Sequence, residues 1–194
     1  MLDTTRLESV LRLHRPGVVA SLQPGATDVE LAEFERLCGV ALHDDHRQLY
    51  RWHNGQSPKS QDALLNCAQF MPLAKAATHH RDITGLLRTG DFHPWDHWWN
   101  ELWVPFLEGP TGDLVCVDYR GLFGGRPGQV VDFVSNDNAR AVLAPDLASW
   151  FNSLCDLVEG GLDDYGCVAG AADFVWSTGI PGYPRAAEAK RQTI

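Results

Sequence analysis

Apolar positions fall at two spacings along this chain. From Trp103 to Asp137 they come in short runs: Trp103 to Leu107, Leu114 to Val117 and Gln129 to Val134. Gly109-Pro110-Thr111-Gly112 parts the first two, and a glycine-rich loop from Gly121 to Gly128 parts the second pair. Asn136-Asp137-Asn138 closes the last run with turn-forming side chains. Runs of this length between Gly, Pro and Asn clusters predict an antiparallel meander. The middle run has no polar alternation, which predicts a central strand covered on both faces.

The other spacing is helical. Thr5 and Glu8 have capping-box separation around the apolar set Leu7, Val10 and Leu11, and Pro16-Gly17 is expected to stop that helix. Thr27 and Glu30 repeat the box ahead of Leu31, Phe34, Leu37 and Cys38, with Gly39 as the stop. Leu42, His46, Leu49, Tyr50 and His53 share the face of a third helix, expected from Asp44 or Asp45 to Asn54-Gly55. Gln56 to Gln61 reads as a polar loop and Phe70 to Leu73 as a short strand or turn. A fourth helical pattern runs from Leu73 to Leu87 and closes before Gly90. Ala141 to Ala144 suits a last strand, and Pro145 opens an amphipathic helix carrying Leu147, Trp150, Phe151, Leu154, Leu157 and Val158 up to Gly160-Gly161. The expectation is an α+β domain over residues 1–160, an antiparallel sheet of four to six strands covered by helices. Residues 161–194 form a C-terminal extension, partly docked through Phe174-Val175-Trp176 or flexible, with Ala186 to Ile194 expected to fray.

At 194 residues the chain can bury enough surface to need no disulfide or metal staple. Its net charge of −9 argues against a nucleic-acid partner, which demands a basic face, and against docking on anionic lipid. An acidic surface steers basic proteins instead, although surplus carboxylates also serve solubility alone. The five cysteines (Cys38, Cys67, Cys116, Cys155, Cys167) have no C-x-x-C pair and read as buried reduced thiols, which suits a cytoplasmic protein. No apolar run reaches signal-peptide or membrane-spanning pattern.

Candidate chemistry is sparse. His93 and His97 stand four apart, but Pro94 between them disfavours a shared helix face and no third ligand accompanies them. His80 falls on an apolar helix face, where a bonded boundary histidine is the simpler reading. Asp113 and Asp118 bracket a strand at a spacing that sends them to opposite faces, so they cannot act as a paired acid and base and read as strand-end gatekeepers. The loop from Gly121 to Gly128 lacks the phosphate-cradle pattern, and no serine sits in G-x-S-x-G. No catalytic constellation, cofactor site or metal site emerges, and the expectation is a non-enzymatic protein. The loop from Asp91 to Glu101 has the makings of an interface: Trp95, Trp98 and Trp99 as aromatic anchors beside Asp91, Asp96 and Glu101. Glu108 and Asp113 extend that acidic set along the meander. The competing reading is that these Trp pack down as a lid on the sheet, with at least one in the core.

Five pieces in order also resemble a known family. They are Leu42 to Gln56 (LHDDHRQLYRWHNGQ), the Trp103-Val104-Pro105-Phe106 strand, Gly112-Asp113-Leu114-Val115-Cys116-Val117-Asp118, Gly128-Gln129-Val130-Val131, and the closing amphipathic helix. This order resembles the SUKH superfamily, which includes fungal regulators of glucan synthesis and many bacterial immunity proteins, over roughly Ala26 to Val158. His43 stands where the family commonly has Pro, and His46 replaces a usual aromatic. The resemblance implies an α+β fold whose recurring residues are structural, with Trp103 filling core and Pro105 at an edge or bulge. It further implies a protein that binds other proteins. In bacterial members the partner is often a toxin, here expected to be basic; the alternative is a regulatory scaffold in signalling or cell-wall synthesis.

Overall fold

The computed structural model describes residues 1–65, 67–89, 98–134, 139–161 and 180–188. Among them six strands form one antiparallel sheet in simple sequence order, β1 to β6. The strands are β1 (Gln69–Phe70), β2 (Trp103–Glu108), β3 (Leu114–Asp118), β4 (Gln129–Phe133), β5 (Ala139–Ala144) and β6 (Arg185–Glu188). The helices are α1 (Thr4–His14), α2 (Pro16–Ser21), α3 (Asp28–Cys38), α4 (Asp44–Trp52), α5 (Leu73–Thr89) and α6 (Leu147–Glu159).

The meander holds. All five residues of β3 are buried, and β3 lies between β2 and β4 with Val117 opposite both Val104 and Val130. Pro105 in β2 carries no N–H, and the register shifts between Pro105 and Leu107, so the bulge absorbs the missing donor. Phe106 meets the rings of Trp150 and Phe151 of α6. Trp103 and Phe133 meet Trp99, and Phe133 also meets Trp98. These two aromatic layers explain why β3 shows no polar alternation.

Helix boundaries follow local chemistry, with some departures from the sequence expectation. Thr27 and Glu30 form the predicted capping box, and Gly39 ends α3 in the left-handed region at φ +68. Thr5 and Glu8 do not cap α1. Asp3 is its N-cap and accepts from Arg6 N–H, which frees Glu8 to accept from Trp52 Nε1 and to pair with Arg12. Pro16 ends α1 but also opens α2, because proline suits a helix's first turn where its missing N–H has no partner to lose.

Gln56 is not part of a polar loop. It is buried, its Oε1 accepts from Phe70 N–H at 2.9 Å, and its Nε2 donates to Ser21 Oγ and Asp62 O. One amide thereby ties β1, α2 and the connecting loop together.

Two further corrections concern exposure and the tail. Cys67 is exposed, while Cys38, Cys116 and Cys155 are buried as expected; Cys67 sits at φ +61 in a turn, which turns it away from the core. Of Ala186 to Ile194, expected to fray, residues 186–188 are held in β6 with Arg185, and residues 189–194 lie outside the described residues. The strand pairs with β5 in the register Ala139↔Glu188 to Val142↔Arg185, satisfying a strand edge that would otherwise be open.

Candidate functional site

The residues predicted to bind a partner separate into several environments. Asp91, Trp95 and Asp96, like His93, His97, Phe174, Val175 and Trp176, lie outside the described residues. Trp98 and Trp99 are core side chains, 3% and 2% exposed. The apolar rings gain more against Phe133 and Trp103 than at the surface, and Trp99 Nε1 finds a buried acceptor in Thr84 Oγ1 at 3.0 Å. Neither serves as a surface anchor in this conformation.

Glu101 stays partly open and accepts from Arg88 Nε at 3.0 Å. Glu108 lies between two basic groups: His79 Nε2 at 3.0 Å, which with Lys75 holds its carboxyl down to about 2. Asp113 is buried and accepts from Thr111 Oγ1 in the β2–β3 turn. It is a turn brace, because the short connection leaves its carboxylate pointing back at its own hydroxyl neighbour.

Asp118 departs furthest from expectation. It is fully buried rather than a gatekeeper. Its Oδ1 accepts from the N–H groups of Arg120 and Gly121 at 2.8 and 3.0 Å, and its Oδ2 from Leu122 N–H at 2.7 Å and Gln129 Nε2 at 2.8 Å. The glycine-rich loop therefore does cradle an anion, and the anion is the chain's own carboxylate.

His46 is the other buried polar group of note. Its ring stacks on Tyr50 and Tyr119 and meets Phe106 edge-on, so it packs as the aromatic it replaces. Burial lowers its pKa to about 3, with His43 adding to the effect. It lines a small cavity with Val117, Arg126, Gly128 and Asp146, where the N-termini of α4 and α6 approach the loop after β3. His80 is bonded as the sequence suggested: its Nε2 lies 2.8 Å from Glu101 O, and burial lowers its pKa. Burial likewise raises the Cys38 thiol to about 12 and Cys155 to about 11, which keeps both protonated and unreactive.

An apolar groove with a volume of about 300 Å³ lies between α3 and α5. Phe34 and Leu73 form its floor, and Val29, Leu37, Ala74 and Ala77 its walls. Glu30 and Glu33 supply the charge along it. Leu37 has the same helical spacing as the buried Leu31 and Phe34, but it stays largely exposed at the groove.

The model of the SMI1 / KNR4 family (SUKH-1) matches residues 25–153. The chain belongs to this family. No curated protein gives a significant match. The SUKH-1 match takes in α3 to α5, all of β1 to β5 and the first half of α6. It also contains Asn54-Gly55, Trp103, Pro105 and Asp118, each of which shapes the scaffold. In this SUKH-1 chain, α1, α2 and β6 lie outside the matched span. No helix among the described residues is long and apolar enough to cross a membrane.

Proposed function

We propose that this SUKH-1 protein is a non-enzymatic binding domain, an immunity protein that neutralises a cognate toxin in the cytoplasm of the cell that makes it. It does so by covering the toxin's active or substrate-binding surface. The observation that carries this reading is the family match across residues 25–153. Two features support it. The buried polar side chains Asp118 and Gln56 hold the scaffold together. The net charge of −9 suits a basic partner such as a nucleic-acid-cleaving toxin.

Co-expression with the toxic product of a neighbouring gene tests the proposal. Restored growth is expected, together with co-purification of the two proteins. Absence of both rescue and co-purification overturns it. Weak capture of several unrelated partners, without rescue, supports a regulatory scaffold instead.

A further inference from the structure

We propose that the groove between α3 and α5 is where the toxin docks, and that it receives a toxin segment whose single large apolar side chain is flanked by Lys or Arg. This rests on the immunity reading above and adds the surface and the chemistry of the partner.

Exposed large apolar side chains are few among the described residues: Met1, Leu13, Val29, Leu37 and Leu86. Scattered singly, such residues are ordinary. Val29 and Leu37 are not scattered. They are 79% and 55% exposed, lie eight residues apart on one helical stripe with Glu33 midway, and both border the same groove.

The groove owes its depth to sequence. Opposite the α3 stripe, α5 presents Ala74 and Ala77, whose methyl side chains leave the space unfilled. Its volume of about 300 Å³ sits at the lower limit for small-molecule pockets, which suits an inserted side chain better than a cofactor. An apolar centre that water leaves readily, rimmed by polar groups, is the anatomy of a binding hot spot.

Charge selects the occupant. Glu30 and Glu33 line the groove, and no basic side chain does. Glu30 is held by the capping box, its Oε2 accepting from Thr27 N–H at 2.7 Å, so its carboxylate is fixed at the rim. Glu33 is held by Arg36 through two hydrogen bonds, Nε to Oε2 at 2.8 Å and a terminal nitrogen to Oε1 at 2.6 Å, but both side chains are exposed, so water screens the pair and an incoming Arg or Lys can share the carboxylate. An acidic partner segment meets two carboxylates; a basic one gains a cation partner for Glu30 and shares Glu33 with Arg36.

The test measures dissociation constants of purified variants against the purified product of the neighbouring toxin gene. Leu37→Lys and Glu33→Lys place like charge in the path of a basic segment, and both positions are exposed, so the fold tolerates them. Each is expected to weaken binding at least about tenfold and to abolish rescue when combined. Leu13→Lys and Leu86→Lys, which do not line the groove, are expected to bind within about twofold of wild type. Wild-type binding with unaffected groove variants overturns this inference and leaves the immunity reading standing. Absent wild-type binding removes both.

Discussion

The Tyr119 hydroxyl lies 2.9 Å from Nδ1 of His46. That oxygen also accepts His43 N–H at 3.1 Å, so one hydroxyl ties the start of α4 to the His46 ring. The ring is neutral and buried among Tyr50, Tyr119 and Phe106. Protonation therefore demands a buried cation with no partner on Nε2.

Stability is expected to fall in acid for this reason. In the unfolded chain His46 titrates at about 6.5; in the fold it titrates at about 3. Between those values the unfolded state binds more protons, so the contribution of the neutral His46 ring is full above about pH 6.5 and declines as pH drops towards 3. Urea midpoints measured across that window should trace the decline, and His46→Phe should flatten it while keeping an aromatic in place. An unchanged slope in His46→Phe counts against this role.

Asp132 should act in the opposite direction. Burial raises its carboxyl to about 6, against the pull of Ala141 N–H and the Arg140 cation. The folded state then holds a proton that the unfolded state releases near pH 3.9. Its contribution is present below that pH and is lost as pH rises through about 6. Asp132→Asn, which keeps the shape without the charge, is expected to gain stability relative to wild type at pH 7.5 compared with pH 4. The comparison of the two urea midpoints decides it.

The loop after β3 depends on one carboxylate. Asp118→Ala strips acceptors from three amides and from Gln129, with a cost on the order of 3 kcal/mol. Hydrogen exchange at Arg120, Gly121 and Leu122 should accelerate well beyond the change seen in β2. Equal acceleration throughout would show that Asp118 supports the whole sheet rather than the loop.

Two glycines with similar backbone angles separate conformation from space. Gly39 at φ +68 has open surroundings, and Gly39→Ala should cost about 1–2 kcal/mol for the left-handed angle alone. Gly55 at φ +73 would place a new Cβ 2.2 Å from Pro72 N, against backbone that cannot yield. Gly55→Ala is expected to cost several times more, or to prevent folding, as read from thermal unfolding.

The meander was legible because β3 breaks polar alternation and Gly-Pro-Thr-Gly and Asn-Asp-Asn mark its ends. Thr27 and Glu30 announced α3 in the same way, since capping uses neighbours only. Asp118 and Gln56 were misread for the opposite reason: their partners are distant or are backbone amides, and no residue type signals an amide aimed inwards. For Trp98 and Trp99 the loop composition leaves both an interface anchor and a lid on the sheet open, because it cannot say which side the rings turn to; Phe133 and Thr84, elsewhere in the chain, turn them inwards. Leu37 shares the apolar spacing of α3 with Leu31 and Phe34, and period alone cannot see that the facing residues of α5 are alanines. The groove was invisible for that reason.

The proposed immunity role requires this SUKH-1 protein to cover a partner's surface. Calorimetric titration of the full chain into the purified toxic product of the neighbouring gene, with the toxin's activity followed in the same samples, tests it most directly. Saturable binding at one-to-one stoichiometry, with activity lost in proportion to the complex formed, is the expected result. A folded protein that leaves the toxin fully active and gives no binding heat contradicts it.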